Sequence, residues 1–415
     1  MPESGRIEGG GMIILADDLS GAAEAAAAAG TGTQPSAVGH LLSDRPSRAT
    51  EEPSALAFDL DTRGRPDEVV RRRVRDALAL GGRRVVMAKV DSLLRGPIAA
   101  TVDELRSAGH DVVACFALPE RGRTVCRGAV FVEGVALRDT ALWHAEASAP
   151  PADVPEALGR APLPTIPASA LREGMATKAI ATALDADGIA VCDAHAAVHL
   201  SAIARAGLRL RASRPIAFVG TSALAGALAA PAAGTPPQPD PGDAARGRIE
   251  GTPRPILVVV GSRAPSALAQ AERLVASGAA CFVIRSIDVA DAASLRTTAL
   301  RIVAEGDRPT VLTIDQHDEW GVPVRDVMAR LIADASGLLP SAPHLVLIGG
   351  DTARAVLDEA GVRSLAIMRS MGEGAVASTP GDGRVIVTRP GSFGPEDHLV
   401  RLVAALPPPS TEEVL

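Results

Sequence analysis

Apolar residues in this chain recur as short blocks separated by longer mixed stretches. The blocks are Met12–Ala16, Ala55–Leu60, Val85–Ala88, Val112–Leu118, Ile189–Cys192, Ile216–Val219, Ile256–Val260, Cys281–Ile284, Val311–Ile314, Leu345–Ile348, Leu365–Met368 and Val385–Val387. Runs this short and apolar predict buried strands. Most of the stretches between them carry helical periodicity. Asp67–Leu80 places Val69, Val70, Val74, Ala77 and Leu78 on one face and arginines opposite, which predicts a helix. Strands alternating with helices predict an α/β fold whose mostly parallel sheets are flanked by helices.

One segment breaks the rhythm. Ala230 to Pro255 is dense in Pro, Gly, Ala and Asp and can hold neither a helix nor a ladder. It divides the chain into an α/β domain over 12–230, a linker over 231–254 and a second α/β domain over 255–406. Residues 1–11 read as a flexible leader, and the tail 407–415 begins with prolines that end the last helix. A further Pro-rich stretch, Ala149–Pro167, is expected to cross the surface of the first domain.

Composition then acts by exclusion. Lys and Arg number 42 against 49 Asp and Glu, a net charge of −7, so nucleic acid finds no basic footprint. Six Phe, two Trp and no Tyr leave few rings for stacking bases or sugars. No apolar run approaches the ~18 residues of a membrane span. Cys115, Cys126, Cys192 and Cys281 lack any Cys-x-x-Cys spacing, which argues against zinc or a disulfide framework and for a reducing cytoplasm. The expected partners are small molecules; a homodimer is compatible with these features, a nucleic-acid or membrane partner is not.

In parallel α/β sheets, ligands bind where strand C-ends meet helix N-termini. The first block runs into Ala16-Asp17-Asp18-Leu19-Ser20-Gly21. Two adjacent carboxylates there can bind Mg²⁺ or take a proton from a hydroxyl, and either can instead cap the helix. The second runs into Phe58-Asp59-Leu60-Asp61-Thr62-Arg63, which looks like the first motif of the haloacid-dehalogenase phosphatases. That reading needs a later paired-acid motif, and four residues after Asp351 stands Ala355. A substrate-binding Asp61 and Arg63, or a plain strand-end turn, are the other readings. The third runs into Lys89-Val90-Asp91-Ser92-Leu93-Leu94-Arg95-Gly96-Pro97, where cation, anion and cation crowd one turn suited to a carboxylate or phosphate. Arg121 and Arg123 add two cations that also suit a solvated surface.

The second half carries glycines instead. Gly261-Ser262-Arg263, Gly349-Gly350-Asp351-Thr352 and Arg389-Pro390-Gly391-Ser392-Phe393-Gly394 each follow a predicted strand. Such turns let backbone N–H groups approach a phosphate, so three in one domain point to a nucleotide site. A Walker loop and an early G-x-G-x-x-G are both missing, which argues against a P-loop NTPase and a dinucleotide dehydrogenase. His195 and His199 are four apart, but the Glu of H-E-x-x-H is missing, and they read as helix surface.

Taken in order, these turns resemble the four-carbon acid sugar kinase family. The family's A-D-D-L-T-G-A is matched by Ala16 to Ala22, its T-R pair by Thr62-Arg63, and its K-x-D-S-T-L-R-G by Lys89 to Gly96. Its G-R-T and following glycine are matched by Gly122-Arg123-Thr124 and Gly128. Its G-S, G-G-D-T and P-G-x-F-G are matched by Gly261-Ser262, Gly349 to Thr352 and Pro390 to Gly394. This chain departs from the family pattern at Ser20, Leu93, Ala264, Ala267, Arg389 and Gly372-Glu373-Gly374.

The resemblance implies an N-terminal domain that binds a sugar acid, a C-terminal domain that binds ATP, and an active site in the cleft between them. It implies ATP-dependent phosphorylation of a terminal hydroxyl of a threonate, erythronate or 3-oxo-tetronate, with Mg²⁺ neutralising phosphate charge. Asp17 is favoured over Asp18 as general base, and Asp91 would orient the hydroxyl or Lys89. Arg63, Lys89, Ser92, Arg95 and Arg123 would hold the acid. Gly261, Ser262, Gly349, Gly350, Asp351, Thr352, Gly391 and Gly394 would hold ATP. A sugar-acid-binding regulatory protein with a weakened ATP site is the second reading, motivated by Leu93, Ala264 and Ala267. An aspartyl-phosphate phosphatase on Asp59 and Asp61 is the third.

Overall fold

The computed structural model describes residues 11–30, 36–40, 54–143, 148–172, 174–230, 247–262, 264–304, 308–315, 317–320, 323–339 and 341–408. Most of the leader, residues 231–246 of the linker, Arg263 and most of the tail lie outside the described residues. The chain divides into two units, Met1–Pro239 and Asp240–Leu415.

The first unit begins β1 (Met12–Ala16), α1 (Leu19–Ala29), β2 (Ser36–His40), β3 (Ala55–Asp59), α2 (Asp67–Gly81), β4 (Val85–Lys89), α3 (Ile98–Ser107), β5 (Asp111–Cys115). A small antiparallel sheet follows, of β6 (Arg123–Cys126), β7 (Ala129–Val132) and β8 (Val135–Ala136). The unit ends α4 (Val154–Ala157), β9 (Thr165–Ile166), α5 (Ala176–Asp187), β10 (Ile189–Cys192), α6 (Ala197–Leu210), β11 (Ile216–Gly220), α7 (Ser222–Ala229). Its main sheet is parallel throughout, in the order β2-β3-β1-β4-β11-β5-β10-β9.

Every residue of β1, β3, β4 and β11 is buried, as the continuous apolar blocks require of strands covered on both faces. Helix α2 turns Val70, Val74 and Ala77 inward. Helix α1 has alanine at seven of its eleven positions and packs against α7, and it is buried over most of its surface because small side chains allow that approach.

The second unit runs β12 (Ile256–Val260), α8 (Pro265–Ala276), β13 (Ala280–Ile284), α9 (Ala292–Val303), β14 (Thr310–Ile314), α10 (Val324–Leu338), β15 (His344–Ile348), α11 (Gly350–Glu359), β16 (Ser364–Ser370), β17 (Val376–Thr379), β18 (Ile386–Arg389), α12 (His398–Ala404). Its order is β13-β14-β12-β15-β18-β17-β16. The sheet is parallel from β13 to β18, and β17 pairs antiparallel with both β16 and β18. The core gathers Val258, Val260, Val346, Ile348 and Val387 under α8 and α12. Strands β13 and β16 are the exceptions, the first with Cys281 and Val283 exposed and the second with Ala366 and Met368 exposed. No helix among the described residues is long and apolar enough to cross a membrane.

Candidate functional site

Register sets where the turns meet. In the first unit Ala16 of β1 lies level with Asp59 of β3 and Lys89 of β4, and Lys89 lies level with Gly220 of β11. The turns at Asp17, Leu60 and Val90 therefore leave three adjacent strands at one height, and their side chains form one cluster.

Arg63 is its hub. It donates from Nε and Nη2 to Asp17 Oδ2 at 3.0 and 2.7 Å, and its Nη1 lies 2.8 Å from Asp18 Oδ2. Burial opposes the guanidinium's charge, but Asp17 and Asp18 outweigh it and hold its pKa well above the ordinary value. Asp18 is also the N-cap of α1, accepting the Gly21 N–H at 2.6 Å. The alternatives that the sequence leaves open for the two carboxylates thus divide between them: Asp18 caps, and Asp17 does not.

Asp17 is 8% exposed, and its Oδ1 is buried without a hydrogen-bond partner. Burial raises its carboxyl pKa; Arg63 pulls it down, Asp18 pushes it up and Lys89 pulls it down, with the net shift upward. A void of about 10 Å³ touches Asp17, Lys89 and Arg95, room for a single oxygen. Gly96, at φ +91°, closes the other side: a Cβ there would stand 2.9 Å from Asp17 Oδ2.

Arg95 grips Asp91 with Nε at 2.5 Å and Nη2 at 3.3 Å. Burial pushes the Asp91 carboxyl up, but Arg95, by charge and hydrogen bond, outweighs it with help from Arg63 and Arg123 and holds it well below the usual carboxylate range. Asp91 is therefore Arg95's partner; the ion-pair neighbour of Lys89 is Glu24, at 3.9 Å. Arg123, buried at the start of β6, donates to Ser92 Oγ. The cluster thus contains Asp17, Asp18, Arg63, Lys89, Asp91, Ser92, Arg95 and Arg123.

Asp59 and Asp61 have other employment. Asp59 Oδ1 accepts the N–H of Asp61 at 2.8 Å, and Asp61 Oδ2 is held by Arg65 at 2.7 Å and Arg73 at 3.1 Å. Arg73 also binds the carbonyls of Leu60 and Asp61, so this half of the motif shapes the turn that presents Arg63. His199 lies on α6 with His195 just before it, apart from this cluster.

Sequence reading passed over several supports. The buried Asp193 accepts the N–H groups of Arg127 and Gly128 at 2.7 and 2.9 Å, fixing the β6–β7 turn and so the strand that carries Arg123. Trp143 donates its indole N–H to the Leu93 carbonyl at 2.8 Å, pinning the Lys89–Arg95 turn. A lone Asp after β10 and one of only two tryptophans were the available signals.

In the second unit Val260 lies level with Ile348, and Ile348 with Arg389, so the three glycine turns also leave adjacent strands. A Cβ on Gly261 would stand 1.9 Å from Thr352 Oγ1, and one on Gly391 2.0 Å from Ser262 Oγ. Gly349 has φ +107° and donates its N–H to the Arg389 carbonyl. Ser262 Oγ accepts the Ala264 N–H at 3.2 Å. Thr352 is buried, and Asp351 is exposed in the first turn of α11.

The third turn is braced from inside. Arg389 is fully buried and donates at Nη1 to the Phe393 carbonyl, while Gln270 Nε2 donates to the carbonyls of Phe393 and Gly394 at 3.0 and 2.9 Å. Helices α8 and α11 begin without a side-chain cap, leaving first-turn N–H groups for another acceptor. Close-packed glycines beside uncapped helix starts fit a nucleotide's phosphates. Among the described residues no group of three or more His, Cys, Asp or Glu could hold a metal ion.

A family described as a sugar-binding N-terminal domain matches residues 12–228, and one described as a nucleotide-binding C-terminal domain matches residues 257–399. The chain is 31% identical over 423 residues to a D-threonate kinase of Cupriavidus necator, covering 93% of this chain and 96% of the relative. It is 29% identical over 391 residues to a 3-oxo-tetronate kinase of Methylobacterium radiotolerans, covering 85% and 89%. Among solved structures, a protein of Salmonella typhimurium superposes with a TM-score of 0.73 at 20% identity, covering 94% of this chain and 98% of that one. A Haemophilus influenzae protein does so at 0.66 and 22%, with the same coverage. These two likenesses concern the fold alone.

Proposed function

Since the chain belongs to the four-carbon acid sugar kinase family, we propose that this sugar-acid kinase transfers the terminal phosphoryl group of ATP to a terminal hydroxyl of a threonate, erythronate or 3-oxo-tetronate. The observation that carries the reading is the state of Asp17. One of its oxygens is held by Arg63; the other is buried and unpartnered, and a void the size of one oxygen touches the same residue. A substrate hydroxyl satisfies it.

The substrate hydroxyl donates to Asp17 Oδ1 and gives up its proton there. Its oxygen forms the new bond to the terminal phosphorus as the bond to the leaving nucleotide oxygen breaks. Burial and Asp18 raise the proton affinity of Asp17, which suits a base. Arg63, Lys89, Arg95 and Arg123 hold the acid's carboxylate and hydroxyls, with Ser92 fixed by Arg123 and Asp91 aiming Arg95. The backbone of Gly261, Gly349, Gly350, Gly391 and Gly394, with Ser262, cradles the phosphates, and Thr352 props Gly261 from below. Mg²⁺ bound with the nucleotide would neutralise phosphate charge; Asp351 offers it a carboxylate and the phosphates its other ligands.

The regulatory reading rests on lost hydroxyls at Leu93, Ala264 and Ala267. Leu93 and Ala267 are both buried in their own unit's core, so a hydroxyl there would face packing rather than ligand. A coupled assay of ADP release across a panel of tetronates tests the proposal. Turnover of at least one acid, lost in Asp17→Asn and Arg95→Ala, is expected. Full activity in both variants, or sugar-acid binding with no ATP turnover, would overturn it.

A further inference from the structure

The first unit holds a second concavity that the phosphoryl-transfer reading does not use. It lies past the C-terminal end of β10, three strand spacings or about 14 Å along the sheet from the end of β4. Its volume is about 450 Å³, within the range of small-molecule sites. Arg172, Arg205, His195, His199 and Ser169 supply its polar lining, and Leu171, Val198 and Ala202 are among its apolar residues.

Among the described residues no carboxylate lines this groove. Neither guanidinium is paired with a carboxylate among the described residues, in contrast to the arginines around Asp17. The imidazole rings of His195 and His199 are 4.3 Å apart, edge to face. His199 Nδ1 accepts the backbone N–H of His195 at 3.4 Å, which puts the ring proton on Nε2 as a donor. Helix α6 begins in the same place, and its N-cap, Ala196, has no side chain to satisfy the first-turn N–H groups. The frame is rigid: Ala194, next to His195, exchanges two backbone hydrogen bonds with Val125 of β6, at 2.8 and 3.1 Å. Val198 is 61% exposed beside these cations, an apolar wall next to charged donors.

We propose that this groove binds a small organic anion, with Arg172, Arg205 and the two imidazoles holding a carboxylate or phosphate group and Val198, Leu171 and Ala202 covering a short aliphatic body. The full-length chain, labelled at histidine, is titrated with inorganic phosphate and, separately, with succinate while the His195 and His199 ring signals are followed by NMR. Substitutions His195→Gln and His199→Gln assign the signals. Saturable shifts of both are expected with at least one anion, weakened roughly tenfold or more in an Arg172→Ala/Arg205→Ala variant with unchanged thermal unfolding. Saturation by phosphate alone identifies a phosphate-bearing ligand, by succinate alone a carboxylate one; either supports the site. Titration without saturation by either anion, equal affinity in the double variant, or stoichiometric response to Zn²⁺ without response to anions would overturn it.

Discussion

On the proposed function the two units meet a similar demand, holding an anion at the C-terminal ends of parallel strands, with opposite materials. Around Asp17 the work is done by side chains: Arg63, Lys89, Arg95 and Arg123 each lie against an acceptor from another turn or helix, or from earlier in the same turn. Around Gly261 it is done by backbone, with side chains absent where another turn needs the room. Charged side chains can choose between stereoisomers of a small acid. Backbone N–H groups suit a phosphate, which every nucleotide presents alike. If the proposed function holds, the difference assigns selectivity to the first unit and generality to the second.

The largest expected effect breaks the first half of that contrast. Asp17→Asn removes the base while leaving the Asp18–Arg63 contact, so kcat in the coupled assay is expected to fall by about 10²–10⁴-fold. The same variant has a stability signature. Because the folded pKa of Asp17 is raised, the unfolded chain releases its proton first. Stability therefore falls as pH rises from about 3.9 through the folded value. Chemical denaturation at several pH values should show that slope reduced in Asp17→Asn.

Arg95→Ala comes next. It leaves Asp91 buried without its main counter-charge, a loss of about 3 kcal/mol, taken at the low end because Arg95 is a quarter exposed. In the wild type the lowered Asp91 pKa contributes stability that is full above the unfolded carboxylate value and lost as pH falls through the folded one. Without Arg95 that contribution shrinks, so the variant's deficit should narrow as pH falls below about 3.9.

Gly261→Ala probes the backbone half. Its Cβ would meet Thr352 Oγ1 at 1.9 Å, Cβ at 2.7 Å and Cγ2 at 2.8 Å, and only a shift of the start of α11 relieves all three. About 1–3 kcal/mol of stability should be lost, with KM for ATP raised more than KM for the acid. The smallest effect is Trp143→Phe, which removes one buried hydrogen bond to the Leu93 carbonyl. About 1 kcal/mol is expected, read as a lower denaturation midpoint at unchanged m.

Legibility in the sequence divides along the same line. Continuous apolar blocks reveal most of the parallel strands because burial on both faces leaves no polar position to blur them; β2 (Ser36–His40) and the two-residue β9 (Thr165–Ile166) carry no such block and escape that reading. Clustered charges reveal the Asp17, Arg63 and Lys89–Arg95 turns because several of them crowd directly behind continuous apolar strands. The small sheet of β6 to β8 is not legible. Its strands are short and half-exposed, and Asp193 holds its turn from some 65 residues away, at Gly128. The β17 hairpin hides for a related reason: Val376–Thr379 is a four-residue strand with Ser and Thr at its end. That Asp18 caps α1 while Asp17 is gripped by Arg63 is not legible either, because the grip joins residues 46 apart.

Counted with Glu24, the neighbour of Lys89, four carboxylates (Asp17, Asp18, Glu24 and Asp91) stand among four cations (Arg63, Lys89, Arg95 and Arg123), so the cluster and its neighbour are electrically balanced before any ligand enters. A sugar acid brings one negative charge too many, and the group most ready to absorb the imbalance is Asp17. Binding should therefore draw a proton from solution. Calorimetric enthalpies would then differ between buffers of unequal ionisation heat, and the ascending limb of kcat against pH would sit above that of kcat/KM.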